Sequence, residues 1–270
     1  MLKLNYIRSD KVWGYELWLA STHPNGMQKD FYDACGGDYP LLIKIIQAND
    51  SLSIQVHPDD DFAVKLEGKG NRGKTECWYI LDAEKDAKLV YGIKSGYSKD
   101  VLATAIKEKT LENYLEMVSV KKGDFVFIPS GTVHAIGKGI RLMEVQQSCD
   151  LTYRLYDWGR DREVHIEKGL AVIKSDEMIP VAPFPGNFDC KYFNLKEINI
   201  EDKWSMACPK GTQPKDTRLL YIISSDNATI SSNLTNHNKV AINAEEIFAI
   251  FPGEKVSVSG KATIMQIIAK

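Results

Sequence analysis

The chain has 270 residues, 44% of them hydrophobic and 26% charged, with a formal net charge of -2. That balance suits a soluble globular protein with a sizeable core, in one large or two modest domains. A near-neutral surface excludes nucleic acid and anionic membrane as principal partners, because both are drawn to net positive charge.

No apolar run reaches the roughly 18 residues that a membrane-spanning helix needs. The opening MLKLNYIRSDKVWG lacks the apolar stretch and small-residue cleavage site of a secretory signal. Five cysteines (Cys35, Cys77, Cys149, Cys190, Cys208) are scattered, odd in number and form no C-x-x-C pair. They predict free thiols rather than a disulfide framework or a cysteine zinc knuckle, and a reducing, cytoplasmic address.

In chain order, segments 40–48 (PLLIKIIQA) and 51–57 (SLSIQVH) are rich in β-branched residues and read as strands. A short helix candidate, 59–68, follows, and then strands over 76–83 (ECWYILDA) and 87–93 (AKLVYGI). Helical spacing is clearest in 98–118, where Val101, Leu102, Ala105, Ile106, Leu111, Tyr114 and Leu115 recur and Ser98 can cap the start. Strands are expected at 124–130, 139–147 and 151–158, with a further helix at 164–175. No strand pair flanks the long helix of a βαβ unit, which favours an antiparallel sandwich or barrel.

The proline cluster IPVAPFPGN (179–187) then marks a boundary. Beyond it, 193–200, 218–225, 228–234, 246–252 and 262–269 repeat the β pattern. Segment 245–260 aligns with 123–139 as an apolar strand ending in Pro. Two related β-barrels in tandem are the economical reading, with domains at 1–180 and 186–270.

The strongest chemical signal is Gly123-Asp-Phe-Val-Phe-Ile-Pro129-Ser-Gly131-Thr-Val-His134. A glycine turn opens an apolar strand, Pro-x-Gly redirects the chain, and an imidazole is delivered at the barrel mouth. A first half of a site comes from Ser53, Gln55 and His57, which alternate with Ile54 and Val56 and so share one face. Amide and imidazole groups on an inward face are costly unless something binds them. Glu76 opens a strand whose same-face neighbours, Trp78 and Ile80, are apolar. Two imidazoles, one carboxylate and a neutral amide leave room for water or substrate, as catalytic zinc requires, and the same ligands suit iron or manganese.

The G-x5-P-x-G-x2-H spacing resembles the second motif of the cupin superfamily. Together with Gln55-Val-His57-Pro-Asp-Asp60, Gly73-Lys74-Thr-Glu76-Cys-Trp-Tyr-Ile80 and Thr152-Tyr-Arg154-Leu-Tyr-Asp157, it resembles the short bacterial type I mannose-6-phosphate isomerases. The likeness covers residues 10–175 well and the remainder in outline. It implies a mainly β fold of two cupin-like jelly-roll barrels in tandem, with a few short helices inserted in the first. It implies a zinc-dependent aldose–ketose isomerase that interconverts mannose 6-phosphate and fructose 6-phosphate through a cis-enediol.

The resemblance places zinc ligands at His57, Glu76 and His134. Gln55 ligates in many members but varies among short forms. Arg154 falls on the active-site arginine, as a cation beside the enediolate oxygens or the phosphate. Alternation with Tyr153 and Leu155 also fits a surface arginine there. Lys74 is a candidate for the substrate or phosphate site, with an exposed turn lysine as the alternative. Glu144, inside the apolar run Leu142-Met143-Val145, is either the base or an acceptor that orients a zinc histidine.

His23, His165 and His237 carry no assigned chemistry. The segment after Pro252 has no histidine where His134 would align, so one Zn2+ per chain is expected, in the first domain. The expected partner is a small phosphorylated hexose. Two other functions fit the pattern less well. An iron dioxygenase would favour a His-x-His pair, and a non-catalytic sugar-phosphate-binding bicupin would not need the ligands together with Arg154.

Overall fold

A computed structural model of the chain describes residues 1–174, 178–234 and 238–270. Strands predominate, as the alternating segments require. No described helix is long and apolar enough to cross a membrane. Two compact units form, one from Arg8–Leu17 and Ile43–Phe184, the other from Met1–Ile7, Trp18–Leu42 and Pro185–Lys270. The cut at 184/185 falls inside the proline cluster.

In the first of these units, one sheet runs in the order Ala182–Pro183, Asp124–Ile128, Glu76–Ala83, Ile140–Gln147, Leu41–Ala48. A second runs Tyr153–Tyr156, Ile54–Val56, His134–Ile136, Lys88–Ile93, Leu115–Ser119. Trp78, Ile80, Val126 and Leu142 from the first sheet pack with Leu89, Tyr91 and Ile136 from the second in one core. The other face of the second sheet is apolar as well. Ile54, Val56, Val90, Ala135, Tyr153 and Leu155 lie under Leu102 and Ile106 of the helix Lys99–Lys107 and Val172 of the helix Ile166–Val172. The helices inserted in this barrel therefore act as its cover, and the cupin-type sandwich expected from the motif is the fold observed.

The helix expected over 98–118 is shorter. Ser98 caps it through Val101 N–H, but it ends at Lys107, and Lys109 adopts φ 59°. The chain then makes one 3-10 turn, Leu111–Tyr114, and a strand, Leu115–Ser119, that pairs with Lys88–Ile93. Leu115 is buried by that pairing, and tertiary burial overrides the local helical spacing. Most other expected strands start and stop within a few residues of expectation, and Glu76–Ala83 matches it, but those expected at 218–225 and 228–234 are one strand, Arg218–Ser232, and that expected at 262–269 begins at Lys255. Ser175, the last residue of the helix expected at 164–175, and the loop histidine His237 lie outside the described residues.

The second unit is built on two 15-residue strands, Arg218–Ser232 and Lys255–Ala269, paired antiparallel with register shifts that bend them. Its core includes Leu220, Ile222, Ile230, Phe248, Ile250, Val258 and Ile264. The strand Ile247–Ile250 ends in Phe251-Pro252-Gly253, and buried Glu254 follows, accepting from Ser232 Oγ and Phe251 N–H.

Candidate metal centre and active-site face

Register explains how the site is assembled. Residues paired directly across an antiparallel ladder point to the same face. Glu76 pairs with Ile128 and Gln146, and Trp78 with Val126 and Glu144. Since Trp78 and Val126 point into the core, Glu76, Glu144 and Gln146 point inward too. In the second sheet His134 pairs with Gln55 and Tyr91, and Gln55 with Arg154. Arg154, Gln55 and His134 thus form one row across three strands, on the face that carries Tyr91 into the core. The sandwich interior is apolar at one end and polar at the other.

His57 leaves the end of the strand Ile54–Val56, and its carbonyl is tied to the Pro129–Gly131 turn by Gly131 N–H at 2.9 Å. Gly131 has φ 96°, and a Cβ there would lie 2.7 Å from the Lys174 side chain and 2.9 Å from the Val172 carbonyl. Only glycine suits that turn, and the turn brings His134 beside His57, with ring centroids 4.8 Å apart.

His57, Glu76 and His134 converge so that one ligand atom from each lies within 4.8 Å of the others, and all three are buried. His134 Nε2 is 3.3 Å from Glu76 Oε1, and His57 Nε2 is 3.7 Å from Glu76 Oε2. Each imidazole is oriented by a backbone carbonyl. Nδ1 of His57 donates to Leu151 O at 2.8 Å, and Nδ1 of His134 to Thr132 O at 2.9 Å. A carbonyl can only accept, so Nδ1 carries the proton and Nε2 presents a lone pair. Glu76 Oε1 and His134 Nε2 are buried with no hydrogen-bond partner. Two acceptors 3.3 Å apart repel unless a cation lies between them, and this donor set fits a metal ion.

Lys74 is buried rather than exposed in its turn. Its Nζ lies 2.7 Å from Glu76 Oε2 and 3.2 Å from His57 Nε2. Burial opposes its charge, yet Glu76 and Glu144 outweigh that and raise its pKa. Burial likewise opposes the Glu76 carboxylate, but Lys74 and then His57 and His134 hold it well below the usual range. The turn that carries this pair is clamped: Gln147 Oε1 accepts from Thr75 N–H, while Asp60 Oδ1 accepts from Gly73 N–H and from Gln147 Nε2.

Burial, aided by the Lys74 charge, pushes the His57 pKa well below 6.5. A folded-state pKa below the unfolded value means that the unfolded chain binds more protons as pH falls under about 6.5. Stability of the metal-free protein is therefore expected to decline as pH drops through about 6.5, by up to about 1.4 kcal/mol per pH unit from this residue. Metal affinity should fall in the same direction, because protons compete for Nε2. Thermal melts of chelated protein between about pH 7 and 5 check this. An identical pH slope in His57→Gln would assign the decline elsewhere.

Arg154 is half-buried. Its Nη1 donates to Glu163 O at 2.7 Å, its own N–H donates to His165 Nδ1, and its Nε is buried without a partner. Burial and then the neighbouring Arg162 lower its pKa. A guanidinium still remains charged at any physiological pH. The side chain is thus partly covered rather than fully exposed.

Glu144 is buried, and its Oε1 accepts from Trp78 Nε1 at 3.0 Å while Oε2 pairs with Lys44 Nζ at 3.2 Å. It orients neither His57 nor His134, because both imidazoles are held by backbone carbonyls. Sequence reasoning misses Lys44, although a lone lysine inside LLIKIIQA is a visible signal. It also misses the Asp60–Gln147 clamp, whose members meet only in the fold.

The model of the phosphomannose isomerase type I catalytic domain matches residues 20–85. The mannose-6-phosphate isomerase ManA of Bacillus subtilis is 38% identical over 232 residues, covering 80% of this chain and 70% of that protein. The crystal structure of the mannose 6-phosphate isomerase from Bacillus subtilis superposes with a TM-score of 0.83 at 25% identity, covering 98% of both chains. The same fold recurs in a mannose 6-phosphate isomerase bound with zinc and yttrium, with a TM-score of 0.71, 14% identity and 99% of each chain covered. With identity of this extent over most of both chains, this protein belongs to the type I phosphomannose isomerase family.

Proposed function

We propose that the chain interconverts mannose 6-phosphate and fructose 6-phosphate through a cis-enediol, using one zinc ion held by His57, Glu76 and His134. The observation that carries this reading is the convergence of two imidazole Nε2 atoms, that of His134 without a partner, and an unpartnered carboxylate oxygen on one buried point. Gln55, on the same row as His134, supplies a neutral amide that water can replace. Zinc supplies a Lewis acid that polarises the substrate carbonyl and favours negative charge on its oxygen.

The remaining chemistry belongs to the chain's own side chains. The reaction removes the proton from C2 of the aldose and returns a proton to C1, so negative charge develops on neighbouring substrate oxygens. Arg154, with an unpartnered Nε on the inward face, offers a permanent cation and a planar fork to those oxygens or to the phosphate. Lys74 holds a proton at Nζ beside the ligand cluster, where a hydroxyl oxygen of the substrate can accept it in a hydrogen bond. Glu144 places a negative charge near Lys74 and fixes Trp78, whose ring meets His134 edge-on at 5.4 Å. The reaction belongs to the unit of Arg8–Leu17 and Ile43–Phe184, which carries His57, Glu76 and His134; among the described residues the other unit offers no such cluster. Free cysteines suit a cytoplasmic site of action.

Chelated and zinc-reconstituted protein tested on mannose 6-phosphate, with fructose 6-phosphate followed by a coupled assay, separates this function from a binding module. Turnover should vanish on chelation and return with zinc. Binding without turnover under any divalent metal would leave a sugar-phosphate-binding protein.

A further inference from the structure

We propose that Lys44 is a positioning residue for the isomerisation and acts through Glu144. The inference rests on the function proposed above. Lys44 sits in the strand Leu41–Ala48, where Leu42, Ile43, Ile45 and Ile46 are at most 2% exposed, and it is itself 5% exposed. A lysine at such a place destabilises the fold relative to an apolar residue of similar size unless its charge is matched. The match is made twice: Nζ is 3.2 Å from Glu144 Oε2 and 3.9 Å from Glu16 Oε2, and Lys11 Nζ lies 3.9 Å from the same Glu16 oxygen.

These contacts have a direction. From the exposed Lys11, charges alternate inward through Glu16 and Lys44 to Glu144, whose other contact, the Trp78 indole, reaches His134. Glu144 has two oxygens with two different tasks. Oε1 holds the Trp78 indole, which packs edge-on against His134, and Oε2 is gripped by Lys44. Without that grip, a carboxylate inside an apolar run has a single neutral donor left, and nothing fixes its plane or the seat of the Trp78 indole against His134. None of these contacts is with His57, Glu76 or His134, so the effect of Lys44 is expected to reach the chemistry through Glu144.

The test is a double-mutant cycle on zinc-loaded enzyme, comparing wild type, Lys44→Met, Glu144→Gln and the double variant, with kcat, KM and bound zinc measured for each. Lys44→Met is expected to lower kcat by about 10²-fold, the scale of a misplaced catalytic constellation, with KM within about twofold and zinc content unchanged. In the Glu144→Gln background the same change should alter kcat by less than about threefold, because its route of action is already cut.

Should Lys44→Met fail to fold for want of a partner for Glu144, the Glu144→Gln and double variants have no unmatched carboxylate at this position, and their comparison decides the matter. A full additional loss in the double variant, a wild-type kcat in Lys44→Met, or zinc loss from it overturns the proposal. Wild-type protein without turnover would instead refute the isomerase reading itself.

Discussion

His134→Ala is expected to leave the barrel folded, to bind no firmly held metal, and to lose about 10³-fold or more in turnover. His134 contributes a buried Nε2 with no partner, and its removal leaves His57 and Glu76 as an incomplete cage. The Lewis-acid contribution that disappears is worth several kcal/mol, each ~1.36 kcal/mol being a tenfold change in rate. His57→Ala and Glu76→Ala should behave alike, whereas Gln55→Ala should be milder because water can take the place of an amide. Metal analysis after gel filtration, paired with the coupled assay, checks the series. Zinc retained at one ion per chain in His134→Ala would show that the ligand set is wrong.

Arg154→Ala should fold and keep its zinc, yet its turnover should fall by about 10²–10³-fold with little change in KM if the guanidinium meets charge that develops only in the transition state. If Arg154 grips the phosphate instead, KM should rise while kcat holds. The backbone fixes this side chain in either case: its own N–H is bonded to His165, and Nη1 is bonded to Glu163 O. Arg154→Lys should not restore full activity, because an ammonium supplies charge without the fork. Unchanged kinetics in Arg154→Ala would remove it from the reaction.

Much of this site is legible in the amino-acid sequence. Period-two alternation places Gln55 and His57 on one face, and the G-x5-P-x-G-x2-H spacing delivers His134, because strands and tight turns fix side-chain direction locally. Arg154 stays open between two readings in the sequence, because its pairing with Gln55 is a matter of register between distant strands. Lys74 stays open between a substrate-site lysine and an exposed turn lysine, because nothing local says that residues 72–75 are pinned by Asp60 and Gln147. Glu144 visibly needs a partner, but that partner, Lys44, lies far earlier in the chain and is brought to it only by sheet order. The helix expected over 98–118 is cut short for the same reason. Leu115 carries helical spacing in sequence, but its burial is decided by a distant strand, Lys88–Ile93.

Proton NMR of mannose 6-phosphate incubated in D2O with zinc-loaded protein tests the isomerase most directly. The expected result is fructose 6-phosphate carrying deuterium at C1, formed by wild type and by neither chelated protein nor His134→Ala. A mannose 6-phosphate spectrum left unchanged by the zinc-loaded wild type, or product formed equally well after chelation, would contradict a metal-dependent isomerase at His57, Glu76 and His134.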